Sequence, residues 1–218
     1  MTIQSPKFRR QIFDISPPIN NRLAVFPGDV PFEKRISLDF KNGNHLSLSS
    51  IQTTLHIGAH ADAPSHYHQD GVSIDQCSLE TYLGDCQVID VTHCRGAVNP
   101  SDLSGVTISA PRILFKSHSL RDLSVWQDEF THLSVETIDW LSQKGVVLIG
   151  IDTPSMDHSN SKTLDAHQTF YKNRIAILEG LTLERVPSGR YQLIALPLKL
   201  EGAEASPVRA ILMTGESL

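Results

Sequence analysis

Long apolar runs, basic clusters and paired-cysteine motifs are missing from this sequence. The longest aliphatic run, Val146 to Ile151, is far too short to cross a bilayer, so no membrane association is expected. The opening residues, MTIQSPKFRRQIFD, hold no apolar stretch of signal-peptide length, and a soluble cytoplasmic protein is the expectation. Basic residues come only as isolated pairs, Arg9-Arg10 and Lys34-Arg35, in a chain of net charge −5, which gives no footing for nucleic acid. The three cysteines, Cys77, Cys86 and Cys94, are odd in number and form no CxxC. That excludes a disulfide framework or zinc ribbon and suits free thiols in a reducing compartment. No GxSxG elbow occurs, so a serine hydrolase is a weaker reading. There is no repeat, low-complexity segment or Pro/Gly-rich divider, so residues 1–218 are expected to form one domain.

What is present alternates between strand and helix signals. Arg22 to Phe26 reads as a strand running into the turn Pro27-Gly28-Asp29. Ile36 to Phe40 alternates apolar and polar residues before the turn Lys41-Asn42-Gly43-Asn44, and Leu46, Leu48 and Ile51 continue the apolar pattern. Further on, Cys86–Val91 and Arg112–Lys116 look like strands. Ser134 to Lys144 looks like a helix capped by Ser134 and stopped at Gly145. Val146–Ile151 reads as a buried strand, Thr163–Tyr171 as a short helix, and Ile175–Leu178, Tyr191–Leu196 and Val208–Met213 as strands. The class is α/β, with a mixed sheet, a strand-rich N-terminal part and flanking helices.

Chemistry concentrates in His56-Ile57-Gly58-Ala59-His60-Ala61-Asp62-Ala63-Pro64-Ser65-His66. A helix is disfavoured by Gly58 and by Pro64, and it would turn Asp62 away from the His56–His60 face. A strand puts the even-numbered residues on one face, but a straight one would separate His56 from His66 by about 33 Å. A chain bent at Gly58 and Pro64 converges them. Imidazole nitrogens with a carboxylate oxygen are ligands for Zn²⁺ or a similar ion, and the small intervening residues let backbone close around it. His68 falls outside the cluster and reads as a surface residue. On pattern alone, His167 is a helix residue of the kind usually buried for packing, and Glu179 is a solvated strand end.

The spacing HxGxHxDxPxH resembles the signature of the cyclase-like metal hydrolases, and within them the chain is similar to the bacterial kynurenine formamidases (arylformamidases). The likeness includes Asp14-Ile15-Ser16-Pro17-Pro18, Phe26-Pro27-Gly28-Asp29, Tyr82-Leu83-Gly84 and Gly150-Ile151-Asp152-Thr153-Pro154-Ser155. It continues through Ser161–His167, Ile177–Gly180, Leu193–Leu198 and Ala205–Ala210, in the family's order over nearly the whole chain. The resemblance implies a swivelling β/β/α-type fold, a homodimer and two divalent metal ions, Zn²⁺ or alternatively Mn²⁺. It implies His56, His60 and Asp62 as ligands of one ion, Asp62 shared with the other, His167 on the second, and Glu179 bridging both. His66 corresponds to the catalytic acid/base and Phe26 to a substrate-contacting aromatic. The family typically carries Trp-Pro-Gly-Asp at Phe26-Pro27-Gly28-Asp29; Phe keeps a stacking face but loses the indole N–H donor.

The implied reaction is hydrolysis of N-formyl-L-kynurenine to L-kynurenine and formate in tryptophan breakdown. The nearest alternative is a hydrolase of the same fold acting on another small amide or lactam, such as isatin. A metal-binding protein without turnover is a third reading, and it requires a closed coordination shell where catalysis requires an open one.

Overall fold

Short aliphatic runs, too brief for helices, become the strands of one large sheet. The computed structural model of the protein describes residues 11–215, so the Arg9-Arg10 pair lies outside the described residues. In chain order the elements are β1 (Ile12–Asp14), β2 (Glu33–Leu38), β3 (Leu48–Gln52), β4 (His60–Asp62), β5 (Leu83–Asp90), β6 (Ala97–Val98), β7 (Arg112–Lys116) and β8 (His132–Leu133). They continue with α1 (Val135–Ser142), β9 (Leu148–Ile151), α2 (Asp165–Asn173), β10 (Ala176–Glu179), β11 (Gly189–Ile194), β12 (Ala205–Pro207) and β13 (Ile211–Met213). Nine of these strands form a mixed sheet in the order β1-β13-β11-β5-β7-β9-β10-β4-β12. β5, β7, β9 and β10 run parallel at its centre, and the flanking pairings are antiparallel. The architecture is α/β.

Period-two alternation gives the sheet two buried faces. Leu114 of β7, Leu148 of β9, Leu178 of β10 and Ala61 of β4 belong to one core. Their neighbours Ile113, Phe115, Ile149, Ile151 and Ile177 point to the other, where Ile138 and Leu141 of α1 and Phe170 of α2 cover them. The central strands are apolar on both sides, as parallel strands under helices must be. By the same alternation, His60 and Asp62 flank Ala61, and Glu179 follows Leu178. All three carboxylate and imidazole groups therefore leave the sheet on the α2 side.

Most expected elements form within a few residues of their expected bounds. Ser134 caps α1 through Thr137 N–H, and Gly145 stops the turn at φ 77°. Two expectations need correction. Arg22–Phe26 makes no strand: the Ala24 N–H bonds to the Leu123 carbonyl, and the segment lines a cavity instead of joining the sheet. Val208–Met213 is a strand only over Ile211–Met213, because Ser16 Oγ takes the Ala210 N–H and Arg209 turns out to pair with Asp14. β12 precedes it with Pro207 in the strand, which is tolerated because β12 is an edge. β2 and β3 form a hairpin outside the main sheet.

Two glycines allow the close approach on which the site depends. Gly58 has φ 60° and makes the bend expected there, and Gly180, just past β10, has φ 64°. A Cβ on Gly180 would fall 2.0 Å from the Gly58 carbonyl oxygen. Gly180→Ala should therefore force the β4 approach and the β10 exit apart. The expected loss is about 2–4 kcal/mol of stability, from overpacking and the left-handed backbone. Chemical denaturation checks it, and a loss under 1 kcal/mol, about the worth of a tolerated core swap, would show that the contact relaxes freely.

Candidate metal centre and its cavity

Register brings the acidic and imidazole groups together. β10 and β4 pair antiparallel with Glu179 opposite His60 and Ile177 opposite Asp62. His60 Nε2 lies 3.5 Å from Asp62 Oδ1 and 3.4 Å from Glu179 Oε2. On the other side, His167 Nε2 lies 3.5 Å from Asp62 Oδ2 and 3.5 Å from Glu179 Oε1. Each carboxylate thus turns one oxygen to each imidazole. His56, in the turn before β4, sets Nδ1 3.0 Å from Asp62 Oδ1. His60, Asp62, His167 and Glu179 are each 3% exposed or less. Glu179 is therefore no solvated strand end: the antiparallel pairing with β4 covers it.

The imidazoles are oriented from behind. His60 Nδ1 is 2.9 Å from the Gly58 carbonyl, an acceptor only, so Nδ1 carries the proton and Nε2 faces the carboxylates. His167 Nδ1 is held by Asp157 Oδ2 at 2.6 Å, and the same carboxylate accepts the backbone N–H groups of Ala166 and His167. Leu164 at the start of α2 offers no side-chain cap, so Asp157 satisfies the first-turn donors while aiming the histidine. The sequence reading missed Asp157; the signal would have been a carboxylate ten residues ahead of a histidine that opens a helix.

The donor set fits a divalent metal. His60 Nε2, both oxygens of Asp62 and His56 Nε2 are buried without a hydrogen-bond partner. Leaving several charged or polar atoms unsatisfied at such depth is costly unless a cation engages them. Two overlapping groups have ligand atoms within 4.8 Å of one another: His60, Asp62 and Glu179, and His56, Asp62 and His66. Both contain Asp62. His66 follows β4 in a short 3-10 turn opened by Pro64, its ring 4.2 Å from that of His56 and exposed at the rim.

Charge sets the protonation of the metal-free cluster. Burial alone would lower the pKa of His60, but Glu179 and Asp62 overcome it and raise it to about 9. His167 is likewise raised well above 6.5 against its burial, by Asp157, Asp62 and Glu179. The carboxyls of Asp62 and Glu179 are lowered despite burial, with the imidazoles opposite them as the cause. His66 moves the other way: burial, joined by His56 and His167, lowers its pKa against the pull of Asp62 and Glu179.

A cavity opens on the centre in two lobes that share Phe26 and His56. One is apolar, walled by Leu23, Val25, Leu123, Trp126 and Pro154. The other is polar and holds His66, His167 and Glu179, with Lys162 and Glu204 on its lining. Phe26 opens a turn in which Asp29 N–H returns to the Phe26 carbonyl, with Gly28 at φ 100°. Asp29 Oδ2 accepts from Thr54 Oγ1, tying that turn to the approach to His56. Phe26 meets Trp126 edge-on at 5.0 Å, and no sequence signal marked Trp126. His68 is a partly covered residue stacked on Tyr171 at 3.6 Å, away from the centre.

The raised histidines carry a stability prediction. A raised imidazole pKa stabilises the folded chain fully below 6.5, and that contribution disappears as pH rises through the folded value. Chelated protein should lose melting temperature between pH 6.5 and about 9, whereas metal-loaded protein, in which the metal replaces those protons, should stay nearly flat. Thermal melts across this range decide it: parallel curves for the two forms would mean that the histidines are not bound to the carboxylates.

Comparison with known proteins identifies the family. The "Putative cyclase" family model matches residues 13–158. The kynurenine formamidase of Bordetella petrii is 42% identical over 204 residues, 93% of this chain and 98% of its own. A solved structure from Bacillus stearothermophilus, described as a "predicted metal-dependent hydrolase", is 26% identical with a TM-score of 0.80, covering 94% of this chain and 98% of that one. Isatin hydrolase A from Labrenzia aggregata, at 22% identity, shares the fold with a TM-score of 0.81 over 95% and 94% of the two chains. With the signature segment inside the matched family region and a curated relative aligned almost end to end, the chain belongs to the cyclase family and is a relative of the kynurenine formamidases.

Proposed function

We propose that the protein is a metal-dependent arylformamidase that hydrolyses N-formyl-L-kynurenine to L-kynurenine and formate. The observation that carries this reading is the buried convergence of His60, Asp62, His167 and Glu179 in a chain 42% identical to a kynurenine formamidase. In the proposal His56, His60, Asp62, His167 and Glu179 would hold the metal, the carboxylates and imidazoles supplying its ligand atoms. Two ions, Zn²⁺ or Mn²⁺, suit this mixed imidazole and carboxylate set. When bound, such ions lower the pKa of water and polarise a carbonyl oxygen.

The chain's own groups supply the rest. Phe26 and Trp126 offer ring contact to an aryl group, and the apolar side chains of the lobe give it a surface to bury against. His66 carries the proton. Its lowered pKa keeps the imidazole neutral near pH 7, able to take a proton as the nucleophile forms and to return it to the leaving aryl amine. The short turn opened by Pro64 holds it beside the buried donors while its exposed edge meets solvent. The Gly58 carbonyl and Asp157 hold the ligand tautomers, so no ring has to reorient during turnover.

The reading extends to a cytoplasmic homodimer. Ile36, Leu48 and Ile51 of the β2–β3 hairpin are 54–66% exposed, and an isolated two-stranded hairpin is marginal in water without cover. A second copy is the proposed cover. Among the described residues no helix is long and apolar enough to cross a membrane.

Two measurements test these statements. Metal-loaded protein should cleave N-formylkynurenine, and His66→Ala should lower kcat by roughly 10²–10⁴-fold at unchanged metal content. Absence of turnover with Zn²⁺ and Mn²⁺ alike would sink the assignment, and lost metal in the variant would make His66 a ligand instead. Sedimentation should give a dimer that Ile36→Lys with Ile51→Lys shifts toward monomer; an unchanged dimer would place the interface elsewhere.

A further inference from the structure

Besides Asp29, whose carboxylate accepts from Thr54 Oγ1, the polar lobe carries two charged side chains that the hydrolytic step does not use. Lys162 and Glu204 line the same cavity as His66, His167 and Glu179. Both stand on backbone tied to the metal-centre segments. Lys162 lies between Ser161, whose Oγ accepts the Leu164 N–H, and Asp165, which begins the helix bearing His167. Glu204 gives its carbonyl to the Ala63 N–H at 2.8 Å, and the next residue, Ala205, pairs with Asp62 across β12 and β4.

Both side chains are open to solvent, Lys162 exposed and Glu204 with its side chain 47% exposed. Among the described residues Lys162 makes no ion pair, and Glu204 Oε1 comes no nearer to a basic group than 3.9 Å, from His56 Nε2. An exposed cation and a half-exposed carboxylate whose basic neighbour is His56, facing one cavity and not paired with each other, complement a ligand bearing both signs. Apart from His56 and His60 of the metal-centre cluster, the polar members of the apolar lobe are Asp122, Gln127 and Asp152, and none of these three is a cation for a carboxylate.

Resting on the reading of the preceding subsection, we propose that Lys162 and Glu204 form an amino-acid subsite. Lys162 pairs with the α-carboxylate and Glu204 with the α-ammonium of the substrate, which makes them the determinants of preference for zwitterionic over uncharged aryl formamides. A substrate with its ring against Phe26 and its formamide at the buried donors directs its remaining substituent into the polar lobe. The arm is held alike in the ground and transition states, so the pair acts on KM, and through it on specificity, and not on the chemical step.

The test uses the metal-loaded enzyme and two substrates: N-formylkynurenine, and N-(2-acetylphenyl)formamide, which has the same aryl formamide with a methyl ketone in place of the amino-acid arm. The reading is the ratio of their kcat/KM values. Lys162→Met should lower that ratio about tenfold, mainly through KM for N-formylkynurenine, and Glu204→Gln should lower it by a smaller factor. The wild-type ratio should also fall as salt rises, and the Lys162→Met ratio should fall less. An unchanged ratio in both variants, or equal KM increases for both substrates, overturns the subsite while the formamidase reading stands. A wild-type enzyme that cleaves neither substrate overturns both.

Discussion

Asp62 and Glu179 are buried side by side, each at 3% exposure or less, and the architecture around them follows from that constraint. Two desolvated carboxylates repel one another, and the cost of burying an unpaired charge is several kcal/mol per ion. The fold answers with imidazoles on both sides, so that each acid faces both His60 and His167. It answers again with backbone: the Met156 N–H donates to Glu179 Oε1 at 2.7 Å. Protons or metal ions complete the balance, and the same geometry that tolerates two imidazolium groups is suited to divalent cations. The catalytic potential of the centre and its metal-free stability are two expressions of one electrostatic requirement.

Meeting that requirement fixes the local backbone. Glu179 and His60 face each other because β10 and β4 are antiparallel in a single register; a slip of one residue would send both to the opposite core. The approach is tight enough that Gly180 must lie against the Gly58 carbonyl, where no side chain fits. α2 in turn has to begin where His167 can reach the pair, and Asp157 secures both the start of the helix and the ring. The helix start, the strand register and the two glycine bends act as one device.

This explains which parts were legible in the sequence. Strands such as β7 and β9 and the capped helix α1 announce themselves through local pattern, because burial of their apolar side chains decides them. The histidine cluster was readable as a ligand set that required bends, and Gly58 and Pro64 supply them at opposite ends of β4. The even-numbered alternation held only for His60 and Asp62, with turns carrying His56 and His66. His167 and Glu179 were not readable from pattern, since their role is set by pairing over about a hundred residues of chain. They came only with the family resemblance. Arg22–Phe26 misled because its apolar residues serve a cavity wall, and a cavity wall has no period. Trp126 and Glu204 left no signal at all, each being defined by what it meets across the fold, and Asp157 left only its spacing of ten residues from His167.

Phe26 shows how a peripheral residue acquires a role from these constraints. Nearly half exposed at 48%, it contributes little to the core, yet it borders both lobes of the cavity. Its turn is pinned through Asp29 to Thr54, two residues before His56, so the ring cannot move far without disturbing the ligand segment. Where a tryptophan is typical of the family, the smaller ring leaves Trp126 edge-on at 5.0 Å as its neighbour, and the Trp126 N–H is already engaged by Asp128. Neither aromatic therefore presents a free N–H donor to a ligand. In the proposed reading an aryl ring meets shape and ring contact in the apolar lobe, which are tolerant of what the ring carries, and discrimination by charge falls to the polar lobe.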